Sequence, residues 1–432
     1  MNKSISSGYT IIALIFMVYL NLMAQQPVQN PKPIQNVIII GNKFTGDNVI
    51  RRELLIKEGE LPSAELLERS RQRLLNLYLF HRVELYVVPH NEKGDILIIE
   101  VTEQIYFYPA PILHMNERDW SKWSYGMSVI HYNFRGQNEK LWAGLWFGFR
   151  PGFGFTYSDP WAGDSLHLTT GFSISKTTYN HRTLDFEERH IYGKLSIGKW
   201  WNYHFKTEIS LLYDHVSFND QYIYLMHSGK NIEQLWGVEF YIRHDTRDLY
   251  SYPSTGWANY LVVYKNSIFQ NYNNYYKLDF DVRRYLRLGP VILAGRYFQS
   301  YLIGEVPVYR LNYIGFEERI RGHFYTVLEG RHINLGSLEF RFPIVPIRYF
   351  SLNLPPIPQQ YLKNLQLGLS AGLFIDSGIV WNKSNQYSRD NFRTGFGFGL
   401  HIHLPYVQVF RLDYAFNRDW RGQFLVEVGV SF

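Results

Sequence analysis

Cysteine is absent from the 432 residues, so the chain does not rely on disulfides in any compartment, and no cysteine follows its apolar N-terminal run to carry a lipoprotein anchor. Long apolar stretches are equally scarce. Only one exists, from about Tyr9 to Met23, whereas a helical membrane protein needs repeated spans of about 20 apolar residues each. The mean hydropathy of -0.23 points the same way. Charge is sparse and nearly balanced: 44 Lys and Arg against 38 Asp and Glu leave +6. That small excess suits anionic lipid or lipopolysaccharide surfaces, and nothing in the chain resembles a nucleic-acid patch. No helical metal signature is present.

Aromatic residues are what the chain has in quantity, with 34 Tyr, 30 Phe and 11 Trp. The length exceeds that at which one compact core usually splits, barrels being the usual exception. An aromatic-rich chain of low hydropathy suits a transmembrane β-barrel, where alternate residues face lipid and the others can be polar. At the N-terminus, Lys3, the apolar run and the small residue Ala24 read as a secretory signal peptide over residues 1–24; the competing reading is an uncleaved anchor. Residues 25–33, with three prolines, read as an extended linker.

A small α+β unit is expected over 34–103, in the order βααββ. Ile34 to Ile40 forms an apolar strand turned by Gly41-Asn42. A first helix is capped by Asp47 and runs through Lys57 to a stop at Gly59. A second opens at Pro62-Ser63 and repeats Leu66, Leu67, Ser70, Leu74 and Leu77 on one face. Strands Val83–Val88 and Ile96–Val101 follow, joined by the turn 91–94. The free edge of such a sheet can accept an extended peptide by strand addition.

From 104 to 432 no convincing amphipathic helix appears, but period-two alternation recurs. In Tyr276 to Arg283, Tyr276, Leu278, Phe280 and Val282 oppose Lys277, Asp279, Asp281 and Arg283, a charged face suited to a wet lumen. The same division runs through Phe392 to Leu404. The last strand is expected to carry Phe424, Val426, Val428, Val430 and the terminal Phe432 on its lipid face. Trp120, Trp123, Trp142, Trp146, Trp161, Trp200 and Trp201 are expected in interfacial girdles. At about 20 residues per strand and connection, about sixteen antiparallel strands fit; a soluble sandwich or propeller is the alternative.

One stretch stands out, Gly315 to Phe324. In it Arg321-Gly322 can turn a loop inward and aim a two-pronged guanidinium at buried carboxylates. Glu339, on the same strand face as Arg341, and Asp376 are acidic residues in otherwise apolar or glycine-rich runs.

These features together resemble the BamA and TamA type of outer-membrane assembly protein. The POTRA-like segments are Ile40-Gly41-Asn42, Arg52-Glu53-Leu54, Leu79 to Val83 and Val101-Thr102-Glu103. Beyond them the likeness rests on Asp245-Thr246-Arg247-Asp248, Tyr252 to Gly256, Arg321-Gly322, Phe410 to Tyr414 and Phe432. The resemblance implies a sixteen-stranded barrel of bacterial surface antigen type with one N-terminal POTRA domain in the periplasm. It implies that the sixth outer loop folds into the lumen, where Arg321, Gly322 and Phe324 latch onto Asp376 and Glu339, and that Phe432 serves as the C-terminal barrel signal. One POTRA unit is fewer than the several of bacterial BamA and TamA, which leaves the docking of accessory lipoproteins open.

The implied function is assembly, insertion or translocation of unfolded outer-membrane or secreted client polypeptides among outer-membrane lipids, with periplasmic chaperones or accessory proteins as further partners. No cofactor, metal or nucleic acid is implied. A passive channel, or a polypeptide secretion pore, is the second reading. A barrel enzyme is the third, with His401, His403 and Asp413 or His244-Asp245 as acid-base candidates.

Overall fold

The structure, a computed structural model, describes residues 32–432 apart from 93, 116–119, 164–165, 182, 185 and 316. The expected signal peptide, most of the linker, Lys93 of the 91–94 turn and Phe316 of the inward loop therefore lie outside the described residues.

The N-terminal unit comprises β1 (Ile34–Ile40), α1 (Asp47–Arg51), α2 (Ala64–Leu75), β2 (Phe80–Asn91) and β3 (Gly94–Glu103). Its sheet order is β1-β3-β2, with β1 parallel and β2 antiparallel to the central β3. A shared core of Ile34, Val37, Ile50, Leu54, Leu74, Leu97 and Ile99 is fully buried or nearly so. The Ser63 hydroxyl accepts from the Leu66 N–H and caps α2. α1 is shorter than expected, ending at Arg51 rather than Lys57. The chain leaves the helix there because the Leu55 N–H is taken by the Ser70 hydroxyl of α2 at 3.0 Å, a bond that replaces a further intrahelical turn.

Sixteen further strands pair antiparallel in chain order into one sheet. They are β4 (Phe107–Met115), β5 (Trp123–Phe134), β6 (Glu139–Gly148), β7 (Gly152–Ala162), β8 (Leu168–Asn180), β9 (Glu187–Trp200), β10 (Phe205–Ser217), β11 (Ile232–Asp245), β12 (Gly256–Asn266), β13 (Tyr275–Leu288) and β14 (Val291–Gly304), then, after a long loop holding the short pair β15 (Asn312–Ile314) and β16 (Leu328–Gly330), β17 (His332–Phe350), β18 (Leu365–Trp381), β19 (Arg393–Leu404), β20 (Gln408–Asn417) and β21 (Gly422–Val428). Alternation orients every strand. On β13, Tyr276, Leu278 and Phe280 are exposed on the outside while Asp281 is buried inside with Arg283 and Arg296. On β19, Phe398 and Leu400 are exposed outside, and His401 and His403 are buried inside.

The sheet curls around an interior that the loop after β14 enters: Arg310 pairs with Asp214 of β10, and Tyr309 bonds Glu233 of β11. The ends of the curl, β4 and β21, are the outermost strands of the order, and no ladder joins them among the described residues.

The N-terminal unit docks on one rim through polar contacts spread around the barrel. Asn48 donates to Gln137 at 2.8 Å, and Asn133 to Thr45 at 2.9 Å. Asn76 donates to the Asp248 carbonyl and accepts from the Tyr250 N–H, and Asn364 donates to Thr102. The His81 ring stands edge-on to Tyr406, with centroids 4.5 Å apart.

Two expectations about aromatic side chains are corrected. Trp142, Trp146 and Trp200 do not join a girdle: on β6 the outward residues are Leu145 and Phe147, and on β9 Leu195 and Ile197. The Trp142 and Trp146 indoles lie inside, against positions 144, 152 and 154, where only glycine leaves room for the rings, and Trp200 faces inward towards the N-terminal unit. Phe432 does not face lipid. β21 ends at Val428, Gly429 takes φ +90°, and the last residues turn into the lumen, where Phe432 is 4% exposed. Tyr285 explains the turn: its ring stacks on Phe432 and its hydroxyl donates to the Phe432 carbonyl at 2.8 Å.

Candidate functional site

The long loop between β14 and β17 folds into the barrel and places Arg321 among carboxylates from three strands. Asp376 on β18 accepts from Arg321 Nε at 2.7 Å, from Nη2 at 2.9 Å and from the backbone N–H at 3.1 Å. Glu339 on β17 accepts from Nη1 at 2.7 Å, and Asp413 on β20 lies 3.5 Å from the same nitrogen. The guanidinium carbon sits 3.5 Å from the centre of the Phe374 ring, which supports it from below as a stacked cation. Arg321 is 6% exposed and Glu339 is 0% exposed.

The loop can come this close because two glycines allow it. Gly322 has φ +90°, and its backbone lies against the Phe416 carbonyl. On the facing strand, a Cβ at Gly395 would occupy the place of the Arg321 carbonyl oxygen. Phe324 packs onto the buried cluster of Phe374, Ala415 and Leu425, and its N–H donates to Gln423 of β21 at 2.9 Å. His323 touches the Thr394 carbonyl at 3.2 Å.

Three arginines balance three acids here. Arg341 Nε donates to Glu339 at 2.6 Å and Arg411 Nη1 to Asp413 at 3.0 Å, so each carboxylate keeps a cation in contact. Isolated charges this deeply buried would cost several kcal/mol each; paired and hydrogen-bonded ones are tolerated.

The same network holds the end of the chain. Ser431 donates to Glu339 at 2.9 Å, Arg411 Nε donates to the Gly429 carbonyl at 2.9 Å, and Arg319 pairs with Glu427 at 2.9 Å. The inward loop therefore touches β21 at Gln423 and Glu427, and the tail through Glu339.

All five residues expected in the inward cluster are brought together. Sequence reasoning missed Asp413 as a third carboxylate, Phe374 as the supporting ring, Gly395, and Tyr285 as the seat of the C-terminal residue. The signal for Asp413 was there, since Arg411 and Asp413 alternate with Phe410, Leu412 and Tyr414 on one strand.

The acid-base candidates do not form pairs. The His401 Nδ1 is bonded to the Tyr252 hydroxyl at 2.8 Å and the His403 Nε2 to Ser370 at 3.0 Å. His244 and Asp245 are successive strand residues pointing to opposite faces. Asp245 is held by Arg247 and Arg243, and His244 contacts Asn259.

Comparisons with known proteins agree with this geometry. Residues 133–432 match the family described as the Omp85 superfamily domain, and residues 33–104 match a POTRA family, the surface antigen variable number repeat. The chain is 25% identical over 412 residues to the outer membrane protein assembly factor BamA of Nitratidesulfovibrio vulgaris, covering 89% of this chain and 48% of that protein. A 68-residue segment, 16% of the chain, is 43% identical to BamA of Neorickettsia risticii, covering 9% of it. The chain thus spans at most about half the length of these relatives. Among solved structures, BamA from Haemophilus ducreyi lacking POTRA domains 1-3 superposes with TM-score 0.53 at 17% identity, over 93% of this chain and 84% of that one. CdiB from Escherichia coli gives 0.57 at 10% identity, over 92% and 74%. By the family match across most of its length, the chain belongs to the Omp85 superfamily, as an outer-membrane β-barrel with a POTRA unit on its periplasmic side.

Proposed function

We propose that the protein inserts client β-strands into the outer membrane, with the POTRA unit receiving the client and the β4/β21 seam templating it. The observation that carries this reading is the seam: β21 has seven residues, and no ladder pairs it with β4 among the described residues. Unpaired strand edges in a membrane are costly, because lipid offers no hydrogen bonds, and they are a ready template for another strand. The outer edge of β2 supports the receiving step. It has no partner strand among the described residues and exposes Tyr86 and Val88, which suits strand addition. The five expected cluster residues act in this reading as a latch that holds the seam strand in place. No bond is made or broken, and no cofactor enters.

The chain has no cysteine, which makes the test clean. Two cysteines introduced one each in β4 and β21 would be the only thiols in the protein. In proteoliposomes, oxidation of a pair that bridges the seam should abolish insertion of an unfolded barrel client, and reduction should restore it. Insertion that continues through a locked seam refutes the reading. Steady ion conductance without client insertion would favour a passive channel, and client transfer across the bilayer without insertion would favour a secretion pore.

A further inference from the structure

Between the POTRA unit and the periplasmic mouth of the barrel lies a cavity of about 1090 Å³, at the top of the range of about 300–1,000 Å³ that holds a single drug-sized molecule. Its walls come from α1, the turn after it and α2 on one side, and from barrel turns and the near ends of β6, β9 and β11 on the other. Six cationic side chains line it, Arg51, Arg52, Lys57, Arg73, Lys140 and Arg243, against two carboxylates, Glu53 and Glu58.

The pairing inside is incomplete. Glu53 serves both Arg73 and Arg52, at 2.5 and 3.8 Å, and Arg51 stands 4.0 Å from Glu58. Arg243 reaches outside the lining to Asp245 at 2.9 Å. The ammonium groups of Lys57 and Lys140 have no carboxylate partner among the described residues. Aromatic rings hold the guanidinium groups in place: Arg52 lies 5.2 Å from Trp161, Arg73 4.1 Å from Tyr203, and Arg243 5.0 Å from Tyr250. Cations fixed in this way have lost little freedom still to be lost on binding an anion.

Position decides what kind of anion fits. Lys140, Trp200 and Arg243 lie on the inward faces of strands whose outward residues include Leu145, Ile197 and Phe240, so the strand wall separates them from lipid. The charges are spread across a space shared by two units, which suits an elongated ligand better than a compact ion. Resting on the reading that the chain handles extended clients, we propose that this cavity receives an extended polypeptide segment bearing carboxylate side chains, with Lys140 and Arg243 meeting it at the lumen mouth.

The test uses purified full-length protein in detergent and two fluorescent peptides of about ten residues, alike in their apolar alternation, one carrying Asp and one Lys at the polar positions. Polarisation should show the acidic peptide binding about tenfold or more tightly at low salt, with the preference shrinking as salt is raised. Lys140→Glu and, independently, Lys57→Glu should each weaken the acidic peptide by about threefold to tenfold. Retained heat-modifiable mobility would confirm that each variant has folded. Equal affinity for both peptides, or no change in either variant, overturns the proposal. Complete displacement of the peptide by inorganic phosphate at matched charge also overturns it, leaving a simple anion site. If the acidic peptide binds as expected but no client inserts in proteoliposomes, the cavity assignment stands and the assembly reading falls. If clients insert while the peptides bind alike, the reverse holds.

Discussion

Removing the Arg321 side chain should be among the most damaging single changes in the barrel, and the structure says where the damage arises. Arg321→Ala strips Glu339 and Asp413 of one cation each, but Arg341 and Arg411 remain 2.6 and 3.0 Å away. Asp376 keeps no other cation: both of its oxygens accept from Arg321 alone among the ion pairs described. Leaving one buried carboxylate unpaired costs about 3–5 kcal/mol. Asp376→Ala should be somewhat milder, because Arg321 retains Glu339. The double variant should then be little worse than Arg321→Ala, a coupling of about 2–3 kcal/mol, since the second change removes the group that the first left stranded. Thermal unfolding in detergent, followed by circular dichroism and by heat-modifiable migration, measures each member of the cycle. Additivity within about 0.5 kcal/mol would refute the pairing. Arg321→Lys should rescue poorly, because an ammonium cannot reproduce the two-pronged contact or the stack on Phe374.

Gly395→Ala should mimic loss of the latch with Arg321 intact, because the added methyl takes the place of the Arg321 carbonyl; Gly336→Ala on β17, where an added methyl would meet nothing within 4 Å, should be close to neutral in the same melts. Phe432→Ala should cost about 3 kcal/mol, as for other buried phenylalanines, and Tyr285→Phe, which removes only the hydroxyl that reaches the Phe432 carbonyl, about 1 kcal/mol; a Phe432 truncation with no effect on melting would show that the lumen seat contributes nothing. Burial against the barrel lowers the His81 pKa from 6.5 to about 4, so the neutral ring is the favoured form in the docked state. Stability from this group is full above pH about 6.5 and is lost as pH falls from there to about 4, of the order of 3 kcal/mol at about 1.4 kcal/mol per unit. His81→Phe should flatten that part of the pH profile, and an unchanged slope would refute the assignment.

Period-two alternation made the barrel legible, because lipid outside and water inside impose opposite chemistry on successive residues over many strands. The cluster acids were legible for a related reason: Glu339 stands between Leu338 and Phe340, and Asp376 lies in a run that is otherwise largely apolar or glycine-rich. The misplaced residues share one cause. Residue type assigns Trp142, Trp146 and Phe432 to a lipid or interfacial position, yet each is placed by space that another part of the chain leaves open. The indoles need glycines on neighbouring β7, and Phe432 needs Tyr285, 147 positions away in sequence. Alternation says which residues share a face, but it gives no warning when a glycine such as Gly429 ends the strand and turns the remainder inward. α1 stops early for a similar reason, its last expected turn giving way to a hydroxyl from α2.

The placement of Phe432 also changes what the latch can do. With a terminal residue on the lipid face, β21 would be fastened by its ladder to β20 and by the inward loop at Gln423 and Glu427. With the tail inside, it is also held beyond Gly429 by Arg411, Glu339 and Tyr285. Glu339 receives both the Arg321 guanidinium and the Ser431 hydroxyl on one oxygen, so a shift of the loop changes the charge environment of the tail directly. Opening the seam would require β21 to move relative to the wall that carries Glu339, and each tail contact it breaks leaves a buried polar group to be satisfied elsewhere. In the proposed reading the latch and the seam are therefore energetically one element, and whatever loosens Arg321 should lower the barrier to seam opening as well as the melting temperature.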